Sequence, residues 1–381
     1  MGCKQSTLEN LVIIMFNNFY NNKKVLVTGN TGFKGSWLSL WLKQMGADVY
    51  GISDIIPTQP SLFEISDLEN SSEHTFEDIR NLESLTQLIQ DISPDIIFHL
   101  AAQPIVKLSY DNPIDTFSTN VMGTAHMLEA ARKLKNECLF ISITSDKCYD
   151  NVEWEWGYRE HDALGGKDPY SASKAGAEIA IKTYFESFFS KKDSHIKLCS
   201  VRAGNVIGGG DWAANRLIPD IYRAWSDNQD VHIRSPYATR PWQHVLEPLS
   251  GYLNLAEHLS RNEVLNGLAF NFGPNASQNH SVLDVLNELK KYWSNSNQNE
   301  LFTIQENSDF HEAGLLKLNC DRALHYLKWN PTLEFETTLS MTAKWYDKYY
   351  NGNKAEMLEY TVNQIHEYTA LAQEKKIAWT E

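Results

Sequence analysis

The chemistry-bearing residues of this chain are concentrated in two stretches, Thr144-Ser145-Asp146-Lys147-Cys148-Tyr149 and Tyr170-Ser171-Ala172-Ser173-Lys174. Tyr170 and Lys174 stand four residues apart, so on a helix they share one face a turn apart. An ammonium beside a phenol lowers the phenol's pKa, and a phenol so tuned accepts a proton from a sugar hydroxyl near neutral pH. That pair alone describes any sugar dehydrogenase or epimerase. Asp146 and Lys147 add a carboxylic acid and an amine at the end of an apolar strand, the two groups needed to remove water from a carbon skeleton. Together the two stretches point to oxidation and dehydration in one site. The plainer alternatives are a surface ion pair at a strand end for Asp146–Lys147 and an amphipathic helix face for Tyr170–Lys174.

Positioning such groups takes a scaffold, and the pattern from Lys24 onward is an alternation of apolar strands and helices. Strands are expected at 24–28, 48–52, 95–99, 138–144 and 196–202. Helices are expected at 36–45, 114–134 and 170–189, with a further helical pattern through Leu82, Leu85, Leu88 and Ile89. Near-continuous apolar strands separated by helices imply an α/β fold, a Rossmann-type doubly wound parallel sheet covered on both faces. Beyond Gly204 strands become sparse, and helices at 249–259 and 282–293 imply a smaller, mainly helical C-terminal substrate-binding region. The expected organisation is a loosely ordered extension (1–20), a dinucleotide-binding domain with the catalytic residues (21–204) and a substrate-binding region (205–381), parts of which pack back on the first domain. Met1-Gly2-Cys3-Lys4-Gln5-Ser6 matches a short lipidation pattern, and Met15 is an alternative start.

The first strand runs directly into Thr28-Gly29-Asn30-Thr31-Gly32-Phe33-Lys34-Gly35. Missing side chains at Gly29, Gly32 and Gly35 let a backbone turn tightly and approach a pyrophosphate at a helix N-terminus. Thr31 and Phe33 belong to the same turn. Asp54 follows Gly35 by 19 residues and suits a ribose diol; with no Arg nearby, NAD is favoured over NADP. Asp78, beside Ile79, reads either as a partner for the adenine amine or as a solvated charge. Leu100, Ala101 and Ala102 follow the fourth strand, where small residues either let a cofactor lie flat or simply pack a helix on the sheet. Asn120, inside a helix, is a candidate bridge between backbone and water near the Tyr–Lys pair.

A net charge of -14 argues against nucleic acid or an anionic membrane as partner, while an anionic substrate would still need local cations. The five Cys and twelve His show no metal-ligand spacing, so no metal is expected and reduced thiols suit a cytoplasmic protein. Arg159, Arg216, Arg234 and Arg240 are the candidate cations for a substrate pyrophosphate, each alternatively a surface charge. Asn205, Gly208 to Gly210 and Trp212 could wall the sugar; Trp212 reads equally well as core.

The glycine-rich turn, Tyr170-x-x-x-Lys174 and Asn120 resemble the extended short-chain dehydrogenase/reductase family. Longer segments are similar to its CDP-glucose 4,6-dehydratase group: Thr31-Gly-Phe-Lys-Gly-Ser-Trp-Leu-Ser-Leu-Trp41, Thr144 to Tyr149, Trp156-Gly-Tyr-Arg-Glu160, Arg202 to Trp212, Arg216 to Asp220 and Thr239 to Pro248. The resemblance covers roughly residues 20–350. It implies conversion of CDP-glucose to CDP-4-keto-6-deoxyglucose with retained NAD, a deoxysugar step of the kind that feeds lipopolysaccharide O-antigen. On this reading Tyr170 is the base at the C4 hydroxyl, Lys174 holds the ribose, Ser145 bonds the C4 oxygen, Lys147 is the base at C5 and Asp146 the acid at C6. Gln103 joins the substrate contacts, and a homodimer or dimer of dimers is implied, pairing the helices at 114–134 and 170–189. A 4-epimerase on the same scaffold would need neither Asp146 nor Lys147, and a non-catalytic NAD-binding protein would need none of the four.

Overall fold

The computed structural model describes residues 15–233, 235–275, 278–294, 302–304 and 315–380. Seven parallel strands form one sheet: β1 (Lys24–Thr28), β2 (Asp48–Ser53), β3 (Glu73–Phe76), β4 (Ile96–His99), β5 (Cys138–Ile143), β6 (Ile196–Ala203) and β7 (Ala269–Phe272). Their spatial order is β7-β6-β5-β4-β1-β2-β3. The chain reverses its direction of travel across the sheet between β1 and β4, the crevice where ligands bind in open α/β sheets.

Side chains alternate between two cores because successive residues of a strand point to opposite faces. Val25, Val27, Ile96, Phe98, Leu139 and Ile141 enter one cluster, and Leu26, Ile97, Cys138 and Phe140 enter the other. The first face is covered by α1 (Phe33–Gln44), whose Trp37 and Trp41 are fully buried, and the second by α2 (Leu82–Ile92) and the two long helical stretches that follow β4 and β5. The stretch expected as one helix at 114–134 is α3 (Pro113–Phe117), a π turn at Ser118–Met122 and α4 (Gly123–Ala131). The Tyr170–Lys174 stretch lies in α5 (Pro169–Tyr184), where Asp168 caps the N-terminus through the Ser171 N–H and Pro169 occupies the first turn.

The C-terminal half contributes to the main sheet: β7 pairs with β6, and α7 (Leu246–Arg261), which follows α6 (Leu217–Ser226), packs beneath β5 and β6. Residues 15–20, expected at the end of a loose extension, are packed. Trp41 donates to the Met15 sulfur at 3.4 Å, and Phe16 stacks on Trp379 at 5.0 Å. Burying Met15, Phe16 and Tyr20 against aromatic partners outweighs the polar composition around them. The lipidation pattern at residues 1–6 lies outside the described residues.

Candidate active site

The carboxyl ends of β1, β2, β4, β5 and β6 carry most of the residues singled out above. Gly29 adopts φ +74°, and a Cβ there would lie 2.8 Å from the Ala101 nitrogen. A Cβ on Gly35 would lie 2.1 Å from the Gly29 oxygen, so both positions require glycine. A Cβ on Gly32 would meet only the Gly29 oxygen, and this N-cap, being glycine, offers no side chain to the first turn of α1. The turn is thus a cradle with an uncapped helix N-terminus at its open side, which fits a pyrophosphate. Thr31 fixes the loop, its hydroxyl donating to the Ile55 oxygen at 2.7 Å and its N–H to the Ser53 hydroxyl oxygen at 3.3 Å. Asp54, exposed beyond β2, accepts among the described residues from its neighbour's N–H at Ile55, which leaves carboxylate lone pairs for a ribose. Phe33 lies against the Gly208 backbone, and Leu100 and Ala101 bond Thr28 across the switch point. Ala102 follows, half-buried.

Two cofactor expectations come out differently. Both oxygens of Asp78 are engaged by Arg80, at 2.6–2.9 Å, which holds this carboxyl below the usual range. Ile79 is a core residue packed under Gly123. Asn120 bridges backbone and a side chain: it accepts from the Gln103 N–H at 2.8 Å and donates to the Gln103 oxygen and to Ser173. Ser173 in turn donates to the Tyr170 backbone carbonyl at 2.7 Å, so Asn120 ties the loop after β4 to α5. Gln103, expected at the substrate, spends its side chain on Thr116 and the Ile105 N–H.

Ser145, Asp146, Lys147, Tyr170 and Lys174 converge where β5 ends against α5. Ser145 caps a short turn at Asp146–Cys148, accepting from the Lys147 N–H and donating to Asp146 Oδ1 at 3.0 Å. Burial pushes the Asp146 carboxyl up, with the Lys147 charge, Ser145 and the Lys34 charge opposing it. Burial also pushes the Tyr170 phenol up, to about 12. The groups that pull the phenol back hardest are Ser145, facing it as a hydrogen-bond partner, and Arg216. The sequence had pointed to Lys174 for that task. Lys174 is itself buried and lowered to about 8 by desolvation, against the pull of Cys148 and Glu178.

Of the substrate candidates, Arg216 stands at the N-cap of α6, bonded to Asp211 at 3.2 Å, with its charge reaching Tyr170 and Lys34. Asn205 follows β6 and accepts from the Gln243 N–H. Arg240 donates to the Thr239 oxygen. Arg159 is exposed, its N–H bonded to Asp162, and among the described residues no bond ties its guanidinium to the cluster. Arg234 lies outside the described residues. Trp212 is core, edge-on to Trp345 and Tyr349.

A family model for GDP-mannose 4,6 dehydratase matches residues 26–342. The CDP-glucose 4,6-dehydratase of Salmonella typhimurium is 47% identical over 354 residues, which is 92% of this chain and 97% of that protein. The chain belongs to the GDP-mannose 4,6 dehydratase family. Solved structures agree on the fold. An epimerase of Methanothermobacter thermautotrophicus superposes with a TM-score of 0.76 at 25% identity, covering 90% of this chain and 98% of that one. A dTDP-glucose 4,6-dehydratase of Bacillus anthracis, in complex with NAD, gives 0.70 at 20% identity, covering 86% and 97%.

Within this dehydratase fold three groups near the site escaped the sequence reading. Lys34, in the first turn of α1, faces Arg216, Lys174 and Asp146 and is lowered to about 8, chiefly by desolvation. Its signal was a lone cation in an otherwise apolar helix start. Asn30 bridges Ser53 and His74 beneath the turn, and a Cβ on Gly51 would collide with it at 2.0 Å. Glu178 and Arg202 form a buried pair under the Ser145–Lys147 segment. A sequence offers no sign of which distant Arg a helical Glu will meet.

Proposed function

We propose that the protein is a CDP-glucose 4,6-dehydratase, converting CDP-glucose to CDP-4-keto-6-deoxyglucose and water. The observation that carries the reading is the buried Asp146, its carboxyl pushed up by burial, beside Ser145, Lys147 and Tyr170 at the carboxyl edge of the sheet. The close relative of the same named activity supports the choice of nucleotide. The enzyme is a hydro-lyase with NAD as cofactor, which fits the glycine cradle and the exposed Asp54. Bound NAD would accept the C4 hydride and return it to C6, ending as it began.

Tyr170 takes the C4 hydroxyl proton. The ketone formed at C4 acidifies C5, whose proton goes to Lys147. Asp146 protonates the C6 hydroxyl, which leaves as water. Lys147 then returns a proton to C5. A turnover therefore leaves Tyr170 with one proton more and Asp146 with one fewer. Ser145, bonded to Asp146 and facing Tyr170, offers the path between them. Lys174, one turn from Tyr170, would hold the cofactor ribose, and Arg216 and Arg240 the substrate pyrophosphate. A 4-epimerase would have no use for an acid at C6, so Asp146 favours the dehydratase.

The test is incubation with CDP-glucose without added NAD. We expect a product one water lighter, with the alkali-induced absorbance of a 4-keto-6-deoxy sugar. No product with CDP-, dTDP-, UDP- or GDP-sugars, even with NAD supplied, would return the protein to the epimerase or non-catalytic readings. A homodimer is part of the proposal: Ile114 is 80% exposed on α3 and Ile179 57% exposed on α5, apolar side chains that a second copy would cover. No described helix is long and apolar enough to cross a membrane. A cytoplasmic site and a role in supplying a deoxysugar to surface polysaccharide complete the reading.

A further inference from the structure

Beneath the catalytic cluster lies a charge pair that the acid–base chemistry above does not use. Glu178 sits one turn beyond Lys174 and two beyond Tyr170 on the same face of α5. Arg202 sits at the end of β6. Arg202 Nε and a terminal nitrogen donate to the two Glu178 oxygens at 2.9 and 2.7 Å, and both side chains are only 4% exposed. With its other partners the pair engages four acceptor sites on Glu178 and four of the five N–H groups of Arg202. Thr144 and Ser200 donate to Glu178. Arg202 donates to the Tyr149 hydroxyl at 2.8 Å and to the Glu160 oxygen at 3.2 Å, and its guanidinium lies 4.9 Å above the Tyr149 ring. The Tyr149 hydroxyl then donates to Asn271 on β7 at 2.8 Å.

Burying two charges gains little stability over an apolar pair of the same volume, so the pair calls for another explanation. Its connections supply one. Thr144 and Tyr149 are the two ends of the segment that carries Ser145, Asp146 and Lys147. The first end is tied to Glu178 and the second to Arg202. The strand-borne segment is thereby gripped at both ends by a pair rooted in the helix that carries Tyr170 and Lys174. We propose that Glu178 and Arg202 are positioning residues that set the Ser145–Lys147 segment against Tyr170 and Lys174, so that elimination at C5 and C6 follows oxidation at C4 in one fixed geometry. The proposal rests on the dehydratase reading.

The test leaves the ion pair in place and loosens its grip on the segment. Tyr149→Phe removes the hydroxyl that joins Arg202 to Asn271 and keeps the ring. Thr144→Val removes the hydroxyl bonded to Glu178 and keeps the volume. In each, C4 oxidation, followed by the near-ultraviolet absorbance of reduced cofactor, should stay within about threefold of wild type, while release of water falls about 10- to 100-fold, the cost of a small misplacement. The deuterium effect of a C5-labelled substrate on kcat should grow, because the C5 step becomes slower, and KM should hardly move. Both steps unchanged, or both slowed by the same factor, would overturn the proposal. A Glu178→Leu/Arg202→Met double variant gives a second route: folded protein with selectively slow elimination supports a positioning role, and full activity refutes it. Should the double variant not fold, the single variants decide. Wild-type enzyme run in parallel separates the two questions, since its failure to release water from CDP-glucose would count against the dehydratase reading itself.

Discussion

Asp146→Asn removes one proton from the site and almost nothing else. The residue is 4% exposed and burial pushes its carboxyl up, so the site favours a neutral group, and an amide of the same size fits it. Asn retains the oxygen that accepts from Ser145 at 3.0 Å. It also fits the space beside Gly204, where an added Cβ would come within 3.0 Å of Asp146 Oδ2. Stability should therefore change little. Loss of a general acid costs about 100- to 10,000-fold, which corresponds to about 3–5 kcal/mol on the elimination barrier. Stopped-flow absorbance should show reduced cofactor forming at the wild-type rate and persisting, with little water lost by mass. The charge state gives a second reading: wild-type elimination requires the acid form, so it should fade as pH rises through the raised Asp146 pKa, and the variant should lack that limb. A 6-deoxy-6-fluoro substrate gives a third, because fluoride departs without a proton and should restore elimination in the variant. Wild-type turnover of CDP-glucose, or an equal defect with the fluoro substrate, would remove Asp146 as the acid.

Other substitutions probe the remaining parts. Tyr170→Phe should slow formation of reduced cofactor by about 100-fold or more; an unchanged rate would exclude Tyr170 as the base at C4. Gly35→Ala places a Cβ 2.1 Å from the Gly29 oxygen, so the turn must open, at a cost of about 1–3 kcal/mol. Purified variant should carry little NAD when extracted and assayed, and full occupancy would contradict the cradle. Glu247, on α7, is buried and raised from 4.5 to about 7 by desolvation, although it accepts from the Thr332 and Leu333 N–H groups. A raised carboxyl stabilises the fold fully below pH 4.5, and that contribution is lost as pH rises through about 7. The loss amounts to about 3 kcal/mol. Denaturant midpoints of Glu247→Gln should fall less than those of wild type across that window, and parallel curves would refute the assignment.

What the sequence carried well were features with local causes. The strands at 24–28 and 48–53 follow from short apolar runs, and the turn at Gly29–Gly35 from three glycines, two of which, Gly29 and Gly35, sterics make obligatory. Tyr170 and Lys174 were legible for the same reason, since helix spacing is set within a few residues. The features that were hidden depend on distant partners. Asp78 looked available, but Arg80, itself paired with the distant Asp115, occupies both of its oxygens. Gln103 looked like a substrate contact, but Thr116 and Ile105 occupy both ends of its amide. Residues 15–20 looked like a tail because the aromatic surface that receives them comes from residues 41, 368 and 379.

The tuning of Tyr170 shows the same dependence on distant residues, and it can be tested. Burial makes the phenol a reluctant base, at about 12, and apart from Ser145 the main opposing influence is Arg216, from the region beyond Gly204. The charge that readies the base thus belongs to the segment expected to hold the substrate, and oxidation is coupled to the placement of that segment. In Arg216→Ala the phenol's pKa should rise. Oxidation needs the deprotonated phenol, so the acid-side limb of its pH profile should move to higher pH, by up to about one unit. Arg216 is 35% exposed, and solvent screening makes that an upper bound. The profile should be taken on kcat at saturating substrate, so that any weakened grip on the pyrophosphate appears in KM instead. Arg216→Lys keeps the charge and should leave the limb nearly in place. A limb unmoved in Arg216→Ala, or moved equally in both variants, would mean that the segment beyond Gly204 binds substrate without readying the base.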